Sequence, residues 1–246
     1  YLSIIIPAYN EERRLGATLK RVSEFLLAKS YSAEIIAVDN ASQDATARVA
    51  ASHPGVQVLQ EPTKGKGAAV RTGMLAGAGQ YLLFSDADLS TPIEELDRLL
   101  AALEQGYDLA IASRGLPDSK LVVRQPFYRE LIGRTGNLLV RVLAVRGVRD
   151  TQCGFKLFPR EIARRLFGAQ LLTGIAFDME VLFLAQRLGY RIAEVPVTWI
   201  DSPDSRIDPV RDSLGAIRDL LRIRWNHLSG RYRAVFAPAA ERKQVG

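Results

Sequence analysis

Residues 81–92 read YLLFSDADLSTP, and the fold turns on this stretch. The apolar, aromatic-rich run 81–84 predicts a short buried strand. It leads directly into Asp86-Ala87-Asp88, two carboxylates one residue apart. Thr91-Pro92-Ile93-Glu94 then predicts a helix start, with Thr91 as N-cap, Pro92 at the first helical position and Glu94 closing a capping box. Both acids therefore fall between the carboxyl end of a strand and a helix, where open α/β sheets bind ligands. Two hard oxygen ligands there suit Mg²⁺ or Mn²⁺ bridging to a substrate's phosphates. The plain alternative is that Asp86 and Asp88 only cap backbone N–H groups of the turn.

Working outward, residues 2–6, 34–38, 56–59 and 108–112 are further β-rich runs. Between them Leu15, Leu19, Val22 and Leu26 recur at helical spacing, and a small-residue helix runs through Ala68, Val70 and Met74. Strands alternating with helices of this length predict a Rossmann-like, doubly wound, mostly parallel α/β sheet. Asn10-Glu11, Asp39 and Asp86/Asp88 end successive strands, so a parallel sheet gathers them at one edge. That ring of acids and amides predicts a nucleotide site, although no GxGxxG follows the first strand. Lys64-Gly65-Lys66-Gly67 lacks P-loop spacing. It reads either as a phosphate-contacting loop, with Lys66 in the donor site, or as a flexible basic turn.

After Gly115 the rhythm changes. Residues 116–125 read as a loop, 127–145 as mainly helical, 149–158 as strand-like and 161–167 and 176–188 as helices. Residues 190–199 read as a strand whose Pro196 predicts an edge. Two prolines and three aspartates make 201–209 a mobile loop. In 210–228, Leu214, Ile217, Leu220, Leu221, Trp225 and Leu228 can share one face, with Arg211, Arg218 and Arg222 interleaved. That face docks on a membrane surface, pairs with another subunit or packs on the chain's own sheet. The expected organisation is one domain over 1–228: a donor half 1–115, an acceptor half 116–209 and the helix 210–228, before a flexible tail 229–246.

The chain has 246 residues, a net charge of +6, one cysteine and two histidines. These exclude a disulfide framework and the usual zinc site, and every apolar run is interrupted by Arg or Lys before it can span a bilayer. The positive charge favours an anionic partner. Nucleic acid is not expected, because aromatic content is 8% and no recognised motif is present. The expected location is the cytoplasm, or the cytoplasmic face of a membrane.

The motifs IIIPAYNEE (4–12), VDNASQDAT (38–46) and Asp86-Ala87-Asp88 together resemble the family 2 glycosyltransferases of the GT-A fold. RDTQCGFKLF (149–158), following Gly136-Asn137, is similar to the branch of that family that glucosylates dolichyl phosphate and to its prokaryotic polyprenyl-phosphate relatives. The resemblance implies inverting transfer of a sugar, glucose from UDP-glucose, to a polyprenyl phosphate. It also implies that Pro7, Ala8, Tyr9, Asn10, Glu11, Asp39, Asp86, Ala87 and Asp88 meet the nucleotide-sugar, and that Ser90 joins Asp86 and Asp88 at the metal. Ser205-Arg206 corresponds to a mobile acceptor loop in relatives. A different donor such as GDP-mannose, a soluble acceptor, or a non-catalytic nucleotide-sugar-binding or membrane-surface protein are the competing readings.

The chemistry asks for the same groups. Asp88, with Asp86 nearby, holds the cation that neutralises a departing diphosphate. A phosphate acceptor is already anionic, so it needs cations more than a base. Arg114, Arg129, Lys156 and Arg206 are the expected acceptor contacts. Asp150 and Glu180 orient sugar hydroxyls or acceptor, or else belong to a turn and a salt-bridged helix face. Asp88, Asp150, Lys156 and Arg206 form the expected catalytic set, and Cys153 is expected to be a small buried side chain.

Overall fold

Period-two alternation in fully apolar strands puts successive side chains on opposite faces of a sheet, so both faces need cover. The computed structural model describes residues 1–122, 145–200 and 209–236, and the side chains of all of these except 209–214 and 216. Its strands are β1 (Leu2–Ala8), β2 (Ala33–Asp39), β3 (Val56–Gln60), β4 (Tyr81–Ser85), β5 (Leu109–Ser113), β6 (Lys120–Leu121), β7 (Phe155–Pro159), β8 (Ile192–Pro196) and β9 (Thr198–Trp199). Its helices are α1 (Leu15–Leu27), α2 (Thr46–Ala51), α3 (Lys66–Ala76), α4 (Leu96–Glu104), α5 (Arg160–Ala169), α6 (Phe177–Arg187), α7 (Pro209–Leu228) and α8 (Arg233–Phe236).

Seven strands form one sheet in the order β3-β2-β1-β4-β7-β5-β8, and β6 pairs with β9 in a separate ribbon. Ile5, Ile36, Val38, Leu82 and Phe84 face one core with α3, α5, α6 and α7. Ile4, Ile6, Ile35, Ala37 and Leu83 face the other with α1 and α4. β8 is an edge strand, as Pro196 predicts. The pairs are parallel except those of β7, which runs antiparallel between β4 and β5. Ser85 therefore lies opposite Phe155, and the residues preceding β7 arrive beside the acidic tip of β4.

The structure corrects four expectations. The capping box at 91–94 does not form: a 3₁₀ turn, Ile93–Glu95, follows Pro92 without a side-chain cap, and α4 begins only at Leu96. Tertiary packing takes Thr91 inward, its hydroxyl 3.5 Å from Cys153 Sγ, while Glu94 pairs with Arg21 at 2.8 Å. Residues 116–122 are not all loop, because Lys120–Leu121 pairs with Thr198–Trp199. The chain beyond Arg231 is ordered through Phe236, since Tyr232 is 1% exposed and Val235 is buried. Finally, α7 has a split apolar surface: Leu220 and Ile223 are buried, while Ile217, Leu221, Trp225 and Leu228 are exposed. The expectations for 127–144 and 201–208 lie outside the described residues, as do the side chains of Arg211 and Leu214.

Candidate active site

The strand order reverses between β1 and β4, the position at which doubly wound sheets open a crevice beyond their carboxyl ends. Three non-glycine residues with positive φ mark the adjoining strand tips: Asn10 (54°) after β1, Ala41 (56°) after β2 and Leu89 (47°) after β4. Such backbone costs ~1–3 kcal/mol per residue and persists where the surroundings over-determine it. Here they do. Asn10 N–H donates to Ser42 Oγ at 3.0 Å, and Asn10 Oδ1 accepts the Gln43 amide at 2.8 Å. Glu11 N–H donates to Thr46 Oγ1 at 2.7 Å, stitching the two tips together.

Asp86 and Asp88 sit where β4 ends, with side chains 34% and 22% exposed. Ala87 between them is fixed from behind, its carbonyl accepting the Thr18 hydroxyl at 2.6 Å. The Asp86 amide donates to the Gly154 carbonyl at 3.0 Å. A Cβ on Gly154 would collide with the Asp86 carboxylate, so the bare α-carbon is the floor of its cradle. Asp86 Oδ1 meets Lys66 Nζ at 2.6 Å, and Asp88 Oδ2 lies 4.0 Å from Arg14, which also pairs with Glu11. Asp88 Oδ1 accepts the Ser90 amide at 3.0 Å, so Ser90 serves the tip through its main chain. Two partly open carboxylates offering hard oxygens, over a cradle that admits no side chain, fit a divalent cation. Lys66 and Arg14 place positive charge beside them.

Lys66 opens α3, whose first turn carries no acid, so its N-terminal amides add to the anion-attracting field. The loop before it is tightly made. Asn40 Oδ1 accepts the Gly65 amide at 2.8 Å, and Asn40 Nδ2 donates to the carbonyls of Glu61 and Thr63 at 3.1 and 2.7 Å. Gly65 has φ 134°, and a Cβ there would run into the Thr173 carbonyl. Burial works against the Lys66 ammonium, but Asp86 and Asp178 overcome it and raise its pKa, keeping it charged.

Asp39, at the tip of β2, is 4% exposed, and its Oδ1 has no hydrogen-bond partner among the described residues. A buried carboxylate oxygen without a donor is costly and marks a place where a ligand donor belongs. Pro7 and Ala8 lie within β1 as register partners of Val38 and Asp39, and Tyr9 beyond them is 39% exposed.

The acceptor-side expectations fare differently. Lys156 is 1% exposed and its ammonium is enclosed, donating to Asp178 Oδ1 at 2.6 Å and to the Cys153 carbonyl at 2.7 Å. The expectation that it meets an acceptor is corrected: β7, at the sheet's interior, carries it into the protein. Asp150 is likewise 4% exposed and committed, its two oxygens taking Arg114 Nε and Nη2 at 2.7 and 2.9 Å. Burial opposes the Asp150 charge, yet Arg114 outweighs it and holds the carboxyl at about 2. Asp150 therefore positions Arg114, which lies over Trp199, and is not itself poised for proton transfer. Cys153 is buried and its thiol is pushed up to about 11 by burial first, so it is inert at neutral pH. Arg129, Ser205 and Arg206 fall outside the described residues.

Arg14, Thr18, Gly154 and Asp178 were not legible as site residues. Gly154 alone had a signal, a glycine within the 149–158 motif. The others act across 22 to 74 residues of sequence.

The chain matches the family described as Glycosyl transferase family 2 over residues 3–167. The dolichyl-phosphate beta-glucosyltransferases of Dictyostelium discoideum and Drosophila melanogaster are each 40% identical to it, covering 94% of this chain and 76% and 77% of their own lengths. The corresponding human protein is 33% identical over 94% of this chain and 77% of its own. Mannosyl-3-phosphoglycerate synthase from Rubrobacter xylanophilus superposes with a TM-score of 0.71 at 22% identity, covering 94% of this chain and 75% of that one. Glucosyl-3-phosphoglycerate synthase from Mycobacterium tuberculosis, solved with Mn²⁺, UDP-glucose and phosphoglyceric acid, gives 0.68 at 23% identity, over 90% and 79%. These two likenesses show a shared fold.

Proposed function

The chain belongs to glycosyl transferase family 2 and is a glycosyltransferase of the GT-A fold, and from that premise we propose that it moves glucose from UDP-glucose to a polyprenyl phosphate of the dolichyl type with inversion. The relatives at 40% identity are named as dolichyl-phosphate beta-glucosyltransferases, which supports a glucosyl donor and a lipid phosphate acceptor. The observation that carries the donor half, residues 1–115, is the Oδ1 of buried Asp39, without a partner among the described residues and two strands away from the Asp86/Asp88 tip, across β1. A nucleobase or ribose donor satisfies Asp39, and the diphosphate then extends towards Lys66 and the acids.

In this reading Asp86 and Asp88, with Ser90 beside them, hold Mg²⁺ or Mn²⁺. When bound, such an ion supplies Lewis-acid neutralisation of the diphosphate. Lys66 and the N-terminus of α3 bind the same phosphates, and Pro7, Ala8, Tyr9, Asn10 and Glu11 line the nucleotide. An oxygen of the acceptor phosphate attacks the anomeric carbon as the bond to the UDP oxygen breaks, and that electron pair leaves with UDP. No proton need be removed from an acceptor already ionised at neutral pH. The protein's task on the acceptor half, residues 116–209, is to bring two anions together. Arg114, at the end of the donor half and oriented by Asp150, supplies cations together with Arg129 and Arg206, with Ser205 beside it in sequence.

The test is a panel of radiolabelled nucleotide-sugars with a polyprenyl phosphate and Mg²⁺ or Mn²⁺, read in the organic phase. Label transferred from UDP-glucose supports the proposal. Preference for GDP-mannose, or product confined to the aqueous phase with a soluble acceptor, overturns it. Asp88→Asn keeps the size and removes the anion, and turnover is expected to fall ~10³-fold or more with the fold intact. Undiminished turnover would take Asp88 out of the mechanism.

A further inference from the structure

The last long helix presents two different sides. Leu220, Ile223 and Asn226 of α7 are 1%, 0% and 1% exposed and pack on the body of the protein. Ile217, Leu221, Trp225 and Leu228, spaced four, four and three apart, form a separate stripe that is 38%, 59%, 68% and 80% exposed. Leu221, Trp225 and Leu228 line one surface depression together with Arg218, Arg222 and Arg224. Among residues 217–228 the single acid is Asp219, 3.7 Å from Arg218. Arg231 and Arg233, just past the helix, are exposed as well.

We propose that this stripe of α7 docks on the surface of an anionic lipid bilayer. Leu, Ile and Trp on one strip with arginines along its margins is the composition of a helix that lies in a membrane interface. There the apolar side chains enter the acyl boundary and the guanidinium groups meet phosphates. A stripe of this size on a soluble surface calls for a partner. The arginines choose among partners. An isologous contact with a second copy would bring Arg218, Arg222 and Arg224 against their own equivalents, whereas anionic headgroups complement them. The helix is not a membrane span: no described helix is long and apolar enough to cross. The inference deepens the proposed function by naming the surface on which a lipid-borne acceptor is met, and rests on it only to that extent.

The full chain is to be sedimented with sucrose-loaded vesicles of phosphatidylcholine alone and of phosphatidylcholine with phosphatidylglycerol, with no polyprenyl phosphate in either. The chain is expected in the pellet with anionic vesicles, and in the supernatant with neutral vesicles or at high salt. The double variant Leu221→Glu/Trp225→Glu should partition ~10-fold or more weaker with Tm unchanged, and so should Arg222→Gln/Arg224→Gln. Retention in the supernatant with anionic vesicles at low salt overturns the proposal, as does binding at the wild-type level by either double variant. A dimer in sedimentation velocity that Leu221→Glu/Trp225→Glu abolishes would give the face to a second copy. A chain that sediments but glucosylates no lipid keeps this surface and loses the proposed function, so the two failures are distinct.

Discussion

At Asp39 one carboxylate oxygen is enclosed without a donor among the described residues, so the protein bears a desolvation cost that a ligand can return. Asp39→Ala removes both the cost and the contact. Nucleotide-sugar affinity is expected to fall roughly 10–100-fold, the worth of one hydrogen bond to a charged group, without loss of Tm. Isothermal titration and a melting curve on the same preparation check it. A lower Tm with unchanged affinity would make Asp39 structural. Gly154 poses the complementary case, a position where nothing fits. Gly154→Ala drives a methyl group into the Asp86 carboxylate. Displacing Asp86 by ~1 Å should lower kcat on the order of 100-fold, since positioning errors of that size cost so much. Wild-type kinetics for this variant would show that Asp86 tolerates movement.

Among the elements, the junction of α6, the 170–174 segment and Tyr232 holds the loop that carries Lys66. Glu180 on α6 is fully buried and accepts three hydrogen bonds: the amides of Leu171 and Leu172 at 3.0 and 2.8 Å, and the Tyr232 hydroxyl at 2.5 Å. Residues 172–174 in turn pack against Gly65 and Gly67, and the Thr173 carbonyl accepts the Ala68 amide at 3.1 Å. The far end of the described chain is thus tied through one carboxylate to the loop that carries Lys66. Tyr232→Phe leaves Glu180 a donor short. It should cost about 1–3 kcal/mol, on the order of 3–10 °C in Tm, and raise the KM for nucleotide-sugar more than it lowers kcat. A melting temperature and KM both at wild-type values would sever this link. Residues 231–236 fall within the expected flexible tail 229–246 because six residues without a hydrophobic repeat offer no local signal. Their order comes from distant partners: a phenol reaching a carboxylate 52 positions away, buried Val235, and Arg165 donating to the Val235 carbonyl.

For the whole molecule, acid should act through the Arg114–Asp150 pair. The folded carboxyl of Asp150, held at about 2, lies below its ordinary value in an unfolded chain. The pair's stabilisation is therefore fully present above about pH 4 and is lost as pH falls towards about 2, a contribution on the order of 2 kcal/mol. Burial pushes Asp178 and Glu180 the opposite way, so the sum of all groups hides any one. Urea unfolding of wild type and Asp150→Asn at pH 5 and pH 2.5 isolates the pair. The wild type should lose stability over that interval more steeply than the variant, and parallel losses would dissociate Asp150 from the acid response.

Local periodicity determined what neighbours in sequence can determine. The strands around 2–8, 33–39, 56–60, 81–85 and 109–113, the helices between them, the edge position of the Pro196 strand and the acids at the tip of β4 follow from apolar spacing, turn residues and the topology such a pattern allows. Tertiary structure alone decided that β7 enters antiparallel between β4 and β5. Nothing in residues 155–159 encodes direction, and only that direction brings Gly154 under Asp86 and carries Lys156 into the protein, against Asp178. It also decided that Thr91 turns towards Cys153 instead of capping a helix, because a hydroxyl has a local partner only until packing offers a buried alternative. In α7 the sequence supplied the apolar residues, but which of them are covered depends on the body of the protein beneath. A helical repeat specifies an angle around an axis; what lies at that angle is set by residues far away in the chain.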